Sequence, residues 1–375
     1  MESVKVGIIG CGVISNTYIM DMRRLYFNEI EIRAVSDLDI EKARASADKY
    51  QISRIYSIDE MLDDPKIELI INLTPPKAHF DLNMKILNAG KHLYCEKPFA
   101  MNVEEAVKIA ELAKKKKLKV GCAPDTFMGS SIMTCRKLLA DGWIGKPLYV
   151  NANMMNCGVE TWHPSPEPFY QQGGGPIYDM GGYYFTTIVS MFGSVKSIYA
   201  VSSKGFSKRT KYVGKQIGKK FSVDIPTFYS FILKTKSGVI VTMNMSFDIW
   251  KSNLPLFEIY GTKGTMSVPD PNHHGGTPEV YRKEQTLGKC FGNDNLNDNQ
   301  FYRIPELEQG VGEYVRGMGV ADLATAIKNN TQNIANIDLA IHVLEIMTGV
   351  MESAKTGELY QMKTEYDKLA GEYMF

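Results

Sequence analysis

Lys97 is the residue of this sequence best suited to acid–base chemistry. It lies between Glu96 and Pro98, directly after a short apolar segment. A partly desolvated ammonium group has a lowered pKa, so it can exchange a proton near neutral pH, as the oxidation of an alcohol requires. Glu96 could orient the lysine. The alternative is a solvent-exposed lysine–glutamate pair, which would contribute little to stability.

Asp179 and Tyr183 form a second candidate pair for handling protons. They are four residues apart and follow a glycine triplet at 173–175, where a helix can begin. Residues four apart share one face of a helix, so the carboxylate and the phenol would act together. The alternative is that Tyr183 belongs with Tyr184 and Phe185 to an aromatic core.

Trp162 and His163 precede that triplet in a proline-rich loop. A tryptophan offers an apolar face on which a sugar ring can stack, and a histidine can form hydrogen bonds with sugar hydroxyls. The loop is therefore either a wall of a substrate site or a structural loop around a buried tryptophan.

Two further polar pairs have less specific surroundings. Asp125 and Thr126 follow the last predicted strand of the N-terminal half, so they either line a substrate cleft or cap the next predicted helix, residues 130–139. His273 and His274 lie in a turn rich in glycine, proline and asparagine, with no third ligand at useful spacing. We expect these histidines at the surface and expect no metal site.

The turn after the first apolar segment has the spacing of a phosphate cradle. Residues 10–15 read G-C-G-V-I-S, with serine where a third glycine or an alanine is usual. Gly10 permits a tight turn, and Gly12 lets the backbone approach a pyrophosphate. Val13 and Ile14 begin a helix whose N–H groups and dipole favour an anion. The turn therefore predicts a dinucleotide site.

Asp37 stands at the end of the second predicted strand, residues 31–35. An acidic residue there can accept hydrogen bonds from both ribose hydroxyls of an adenosine and would repel a 2′-phosphate. Asp37 therefore favours NAD over NADP. The alternative is that Asp37 only caps the next helix.

The predicted elements place several of these residues at one edge of a sheet. Apolar strands alternate with amphipathic helices, and we predict strands at 4–9, 31–35, 69–73, 92–95 and 118–122. This order is typical of a doubly wound parallel sheet, in which ligands collect at the carboxyl ends of the strands. Besides the glycine turn and Asp37, the predicted cofactor site then includes Thr74, Pro75, Pro76, His79, Glu96 and Lys97.

The second half of the chain is rich in strands, which we predict at 148–155, 195–202, 227–233, 239–247 and 256–260. A length of 375 residues suits two domains, and we place them at 1–123 and 124–375. Late helices at 320–328 and 338–351 would pack back on the first domain.

The motifs resemble those of the Gfo/Idh/MocA family, named after glucose–fructose oxidoreductase, inositol dehydrogenase and rhizopine catabolism. The resemblance rests on G-C-G-x-I-S, L-T-P-P and C-E-K-P in order, and it continues through residues 173–183 and 258–265. It implies an N-terminal Rossmann domain and a C-terminal α/β domain with a large, mostly antiparallel sheet. In relatives, that sheet commonly forms the oligomer interface, which implies a homo-oligomer, either a dimer or a tetramer.

The resemblance also implies roles for single residues. Lys97 would be the main acid–base group, Tyr183 a second hydroxyl donor, and Asp179 the group that holds a substrate hydroxyl. Most members carry histidine at the position of Tyr183, so the proton could be delivered by Lys97 or by Tyr183. Independently of the resemblance, the predicted substrate site also includes Asp125, Trp162 and His163.

Composition excludes several other classes of protein. The net charge of +1 argues against nucleic acid or an acidic membrane as the main partner. The six cysteines lack metal-ligand spacing and are expected to be reduced thiols of a cytoplasmic protein. No apolar run reaches the length of about 18 residues that a membrane-spanning helix needs.

The sequence thus predicts an NAD-dependent oxidoreductase that transfers hydride between the nicotinamide and a secondary hydroxyl or ketone. The substrate would be a sugar, a glycoside or a cyclic polyol. One alternative is an NADP-linked carbonyl or dihydrodiol reductase, against which Asp37 argues. Another is a ligand-sensing relative, which would not need to retain Lys97, Asp179 or Tyr183.

Overall fold

Short apolar segments that alternate with amphipathic ones form a parallel sheet in the first half of the computed structural model, which describes residues 2–290, 300–306 and 314–366. Its strands are β1 (Val4–Ile9), β2 (Ile30–Ser36), β3 (Leu69–Asn72), β4 (His92–Cys95) and β5 (Val120–Cys122). All four neighbouring pairs are parallel, in the order β2-β1-β3-β4-β5. The predicted doubly wound sheet is confirmed.

Helices connect these strands: α1 (Val13–Leu25), α2 (Ile40–Tyr50), α3 (Ile58–Asp63), α4 (His79–Asn88) and α5 (Val103–Lys116). Side chains cap three of them, namely Asp39 on α2, Ser57 on α3 and Asn102 on α5. Such caps satisfy N–H groups that have no partner within the helix. Gly12 is the N-cap residue of α1, and no side chain caps that helix.

The second half contains α6 (Ser130–Ala140), β6 (Pro147–Met155), α7 (Gly175–Phe192), β7 (Val195–Ser203), β8 (Lys208–Thr210), β9 (Lys220–Ser222), β10 (Phe228–Thr235), β11 (Ile240–Ser246), β12 (Phe257–Gly261), β13 (Gly264–Ser267), β14 (Glu279–Arg282), α8 (Lys283–Cys290), β15 (Tyr302–Arg303), α9 (Met318–Asn329), α10 (Ile337–Thr356) and β16 (Tyr360–Gln361).

Nine of these strands form a mixed, mostly antiparallel sheet in the order β15-β14-β13-β12-β6-β11-β10-β7-β16. Only β6 and β11 pair in parallel within it. α7 packs on one face, where Tyr184 stacks on Phe257 and Phe185 contacts Phe231. β8 and β9 form a separate two-stranded ribbon.

The described residues divide into two compact units. The first consists of the residues up to Met128 together with Val315–Leu344, and the second of Gly129–Tyr314 and the residues from Glu345 on. Val320 and Leu323 of α9 belong to the buried core of the first unit. The sequence-based division at 123/124 differs from this one, because it assigns the whole of 124–375 to the second domain.

One predicted surface residue is buried. His274 is fully buried, and its carbonyl oxygen accepts hydrogen bonds from the Ser131 backbone N–H at 3.1 Å and from the Ser131 hydroxyl at 3.0 Å. The turn that contains His274 therefore lies against the start of α6, and its predicted surface position is wrong. Within 2–290, 300–306 and 314–366, no cluster of three His, Cys, Asp or Glu side chains is placed to hold a metal.

No helix in the part of the chain that the structure describes is both long and apolar enough to span a bilayer.

Five cysteines of the described residues are free thiols, namely Cys11, Cys95, Cys122, Cys135 and Cys157.

Candidate functional site

The glycine turn of the first unit is shaped by a close backbone contact. Gly10 has φ +104°, and a Cβ atom built on it would lie 2.7 Å from the carbonyl carbon and oxygen of Leu73. The positive φ and the missing side chain are therefore both required. As a result, the turn after β1 lies directly against the turn after β3.

Gly12 has a different environment. A Cβ atom on Gly12 would meet no described atom within 4 Å, and the neighbouring Val13 side chain is 81% exposed. Because no side chain caps α1, its first N–H groups are available to an anion. The buried Ser15 donates its hydroxyl to the Gly12 carbonyl at 2.7 Å, so the unusual third residue fits the turn. These features fit a pyrophosphate.

Asp37 faces the glycine turn. Its carboxylate accepts hydrogen bonds from the backbone N–H groups of Cys11 and Asp39, both at 2.8 Å. Asp39 caps α2 by accepting from the Glu41 N–H at 3.2 Å, so the alternative that Asp37 is the helix cap is wrong. Burial and the charge of Asp37 raise the pKa of the Cys11 thiol to about 11.

The segment after Asp37 is exposed and acidic. Leu38 is 97% exposed, and Asp39 and Glu41 add negative charge. The basic groups that follow are paired with these carboxylates, Lys42 with Asp39 and Arg44 with Glu41. A 2′-phosphate would therefore meet acidic side chains here.

The turn after β3 is organised by two asparagines that sequence reasoning missed. The buried Asn72 side chain accepts hydrogen bonds from the Thr74 N–H at 3.1 Å and the Thr74 hydroxyl at 2.6 Å. It also donates to the buried Asn83 side chain at 2.8 Å. The available signal was an asparagine in the otherwise apolar strand L-I-I-N-L. This network fixes Thr74, Pro75 and Pro76 in place.

His79 has a different role from the predicted cofactor contact. The side chain is fully buried, and its ring nitrogens contact two carbonyl oxygens, Nδ1 that of Pro98 at 2.7 Å and Nε2 that of Thr74 at 2.8 Å. Burial lowers the pKa of His79, although both carbonyls act in the opposite direction. The ring therefore connects the turn after β3 to the loop after β4, which makes His79 a positioning residue.

Glu96 connects the loop after β4 to α1. Its carboxylate accepts from the Tyr18 hydroxyl and from the Lys97 backbone N–H, both at 2.8 Å. Tyr18 is fully buried, and burial together with the Glu96 charge raises its pKa well above the usual value. Glu96 and Lys97 are half-buried, so the alternative of a solvent-exposed pair is wrong. The Lys97–Pro98 peptide bond is cis.

Asp125 has a structural contact that its predicted substrate role did not include. It is buried, and its carboxylate accepts a hydrogen bond from the Gly319 N–H in the first turn of α9 at 2.8 Å. Gly129 is the N-cap residue of α6 and no side chain caps the helix, so Asp125 and Thr126 do not cap it. We therefore leave Asp125 out of the candidate substrate site.

The second unit carries the other candidate residues on α7 and on the loop before it. Asp179 is half-buried and Tyr183 is 7% exposed, and both belong to the same helix. Tyr184 and Phe185 are buried in the core, as the alternative for this segment predicted. Helical spacing places Asp179 and Tyr183 on one face of α7.

The loop before α7 presents its tryptophan to solvent. Trp162 is 63% exposed, so the alternative of a buried tryptophan is wrong. His163 packs edge-on between Trp162 and Phe169, with ring centroids 5.4 and 5.0 Å away, and its Nδ1 accepts from the Ser165 N–H at 3.1 Å. The loop also contacts α7, because a Cβ atom on Gly174 would lie 2.5 Å from the Pro168 carbonyl oxygen.

A buried arginine that sequence reasoning missed holds this loop. Arg209 of β8 donates to the Glu160 carboxylate at 2.8 Å and to the Cys157 carbonyl at 3.0 Å, and it also pairs with Asp248. Glu160 in turn accepts from the Tyr170 hydroxyl. One guanidinium between the buried Glu160 and the largely buried Asp248 pairs charges that would be costly to bury alone.

In the first unit, a glycine turn, an acidic residue after β2 and a lysine loop after β4 meet at the carboxyl ends of parallel strands, as in a dinucleotide-binding Rossmann domain. Two family models match the chain, namely the GFO/IDH/MocA oxidoreductase family with an NAD-binding Rossmann fold over residues 4–123 and the GFO/IDH/MocA C-terminal domain over residues 132–267. The chain belongs to the Gfo/Idh/MocA family, which confirms the resemblance.

Individual relatives are distant. An uncharacterized oxidoreductase of Schizosaccharomyces pombe, C115.03, is 28% identical over 206 residues, which are 53% of this chain and 55% of the relative. The match thus spans about half the length of that relative. The scyllo-inositol 2-dehydrogenase (NADP(+)) IolW of Bacillus subtilis is 21% identical over 378 residues, 95% of each chain.

A solved levoglucosan dehydrogenase in complex with NADH and L-sorbose is similar in structure. It has a TM-score of 0.79 and 19% identity, and the match covers 96% of this chain and 99% of that chain. At this level of identity, the likeness shows the shared fold.

The variant His79→Leu tests whether His79 positions the Lys97 loop or only stabilises the fold. We expect the loss of the ring contacts to displace the Lys97 loop, and a misplacement of about 1 Å can lower a rate about a hundredfold. kcat should fall by about that factor, and the KM for substrate should change much less. The measurement is steady-state kinetics together with thermal unfolding.

His92→Leu is the matched control for this prediction. His92 begins β4, at the opposite end of that strand, and its Nδ1 accepts from the Lys119 N–H at 2.9 Å. The control variant should lose stability and retain kcat. Equal kcat values for the two variants would contradict the positioning role of His79.

Proposed function

We propose that the protein is an NAD-dependent oxidoreductase that transfers hydride between the nicotinamide and a secondary hydroxyl or ketone of a sugar, glycoside or cyclic polyol. The observation that carries the proposal is the half-buried Lys97 loop at the carboxyl end of β4, connected through Glu96 to the helix of the phosphate cradle. A packing role alone does not explain a lysine in that position.

The residues of the chain divide the chemistry between them. A bound NAD supplies the hydride acceptor in the oxidation direction. Lys97, as a neutral amine, takes the hydroxyl proton while the carbon–hydrogen bond breaks, and it returns the proton in the reduction direction. Asp179 holds a substrate hydroxyl, and Tyr183 is a second donor. Trp162 and His163 form an apolar and hydrogen-bonding wall for the sugar ring.

NAD rather than NADP is the cofactor that the surroundings of Asp37 favour. The carboxylate stands beside the Cys11 N–H of the phosphate turn and is followed by further acidic residues. The NADP-linked alternative is supported by the name of the B. subtilis relative, which covers 95% of this chain at 21% identity.

A substrate panel tests the proposal. Purified protein is mixed with sugars, inositols and glycosides, each with NAD and with NADP, and the absorbance of the reduced nicotinamide is followed. We expect turnover of at least one polyhydroxylated ring with NAD. Faster turnover with NADP would support the alternative cofactor. NAD binding without turnover of any compound would support the ligand-sensing alternative.

We also propose that the protein forms a homo-oligomer through the large sheet of the second unit. The face opposite α7 exposes Tyr149, Tyr199, Ile232 and Ile240, between 37% and 54% each. Ile232 lies beside Tyr199, and Ile240, two residues along β11 from the partner of Ile232, lies beside Tyr149. An exposed apolar patch of this kind is typical of an interface.

Ile232→Asp should weaken this association. A carboxylate in the middle of an apolar interface must be buried without a partner, which is costly. We expect sedimentation velocity to show a dimer or tetramer for the wild type and a smaller species for the variant. Val107→Asp, at an exposed position of α5 in the first unit, is the control and should retain the wild-type assembly. Unchanged assembly of Ile232→Asp would contradict the proposed interface.

A further inference from the structure

The segment 204–222, here called the basic ribbon, includes β8, β9 and the turn between them. It contains seven lysine or arginine residues and no aspartate or glutamate, although the chain as a whole has a net charge of only +1. Its inner face pairs Arg209 with Phe221, and both are buried. The lysines on either side, Lys208 and Lys220, are exposed.

The basic ribbon packs against the loop that carries Trp162. The Tyr212 N–H donates to the Glu160 carbonyl at 3.2 Å. A Cβ atom on Gly214 would lie 3.0 Å from Cβ of Pro164, so the backbone just before Lys215 lies against that loop. The positive charge is therefore next to the proposed wall of the substrate site.

The residues just after the ribbon reach the start of α7. The Asp224 N–H donates to the Tyr170 carbonyl at 2.9 Å, and a Cβ atom on Gly175 would lie 2.9 Å from Cδ1 of Ile225. Asp179 follows about one helical turn further, at a rise of about 6 Å along the axis. The ribbon, the tryptophan loop and the first turns of α7 thus form one continuous surface of the second unit.

Among the described residues, only two cations of the ribbon are paired with carboxylates. Arg209 forms ion pairs with Glu160 and Asp248, and Lys211 forms one with Glu167. Burial raises the pKa of Glu167, but the hydrogen bond and charge of Lys211, with the charge of Lys219, outweigh burial and lower it.

Of the five remaining cations of the ribbon, Lys204 donates to the Val223 carbonyl oxygen at 3.2 Å. Lys208, Lys215, Lys219 and Lys220 are exposed and form no ion pair with any carboxylate in the described part of the chain. A concentration of one sign of charge beside a binding surface raises the local concentration of ligands of the opposite sign.

We propose that the substrate is an acidic sugar or polyol derivative, with a carboxylate or phosphate group that the exposed lysines of the basic ribbon, Lys215 and Lys219 foremost, attract while the ring lies on Trp162. This inference rests on the proposed function. It adds a class of substrate, namely anionic carbohydrate, to the chemistry of the hydroxyl group that is oxidised.

A matched set of substrates tests the inference. For each sugar of the panel, the neutral methyl glycoside, the corresponding methyl glycosiduronate and the sugar 6-phosphate are compared at saturating NAD. We expect an acidic member to have the highest kcat/KM of its set. Preference for the uronate or for the phosphate identifies which anionic group is bound.

Two further comparisons isolate the charge of the ribbon. Lys215→Gln and Lys219→Gln should each lower kcat/KM for the acidic substrate about twofold to fivefold, the range of exposed ion pairs, and leave the neutral one unchanged. About 0.5 M salt should have a similar effect, because it shortens the screening length to about 4 Å. Lys114→Gln, in the exposed last turn of α5, is the control and should change neither value.

The outcomes distinguish this inference from the proposed function. Turnover of neutral members that equals or exceeds that of acidic ones would overturn the anionic substrate and leave the oxidoreductase intact. An acidic preference that survives both lysine substitutions would overturn the role of the ribbon. Turnover of no member of any set would overturn the proposed function and this inference with it.

Discussion

Lys97→Ala is expected to lower kcat by about two to four orders of magnitude, the usual contribution of a general acid–base group. The amine that takes the hydroxyl proton is lost, while the phosphate cradle and Asp37 are untouched. The dissociation constant for NAD, measured by calorimetry, should therefore change little. Lys97→Arg should be similarly inactive, because an arginine keeps the charge but does not release its proton near neutral pH.

Lys66→Ala provides the control for this prediction. Lys66 is exposed and precedes β3, at the opposite end of the same parallel sheet. The control should have the wild-type kcat. If Lys97→Ala retains turnover close to that of Lys66→Ala, the proton-transfer role of Lys97 is wrong.

Asp37→Ala is expected to weaken NAD binding by about 10- to 100-fold, since hydrogen bonds to a charged group contribute about 1.5–3 kcal/mol. NADP should lose less or gain, because the carboxylate that repels the 2′-phosphate is gone. The measurement is the ratio of the two dissociation constants, obtained from titrations of the same preparation.

The variant Asp39→Ala is the control that separates an effect on cofactor binding from an effect on helix capping. Asp39→Ala removes the cap of α2, at a cost of about 1 kcal/mol of stability, and should leave the NAD/NADP ratio unchanged. An equal loss of affinity for both cofactors in Asp37→Ala would refute the ribose assignment.

The sequence predicted the elements well where local periodicity decides the structure. β1 and β4 have the predicted limits. α5 has clear end signals in the sequence, since it begins after Asn102 and ends in lysines. Here the apolar period and the end signals lie within one short window. The parallel sheet follows from this alternation of elements.

The sequence was less informative where a contact joins distant segments. Arg209 meets Glu160 across 49 residues of chain, and His79 meets Pro98 across 19. Local residue spacing does not predict such pairs, because the tertiary fold brings together residues that are far apart in sequence. The same holds for His274. Its turn is rich in loop residues, which predicts a surface position, but the contact that buries it comes from the distant α6.

The most direct test of the account follows a hydrogen isotope. The best substrate of the panel, with deuterium on the carbinol carbon, is incubated with NAD and the protein, and the reduced cofactor is examined by mass spectrometry. We predict that the nicotinamide ring carries the deuterium and that turnover of the labelled substrate is slower wherever hydride transfer limits the rate. Deuterium released into water, or a substrate consumed without labelled reduced cofactor, would contradict hydride transfer to NAD.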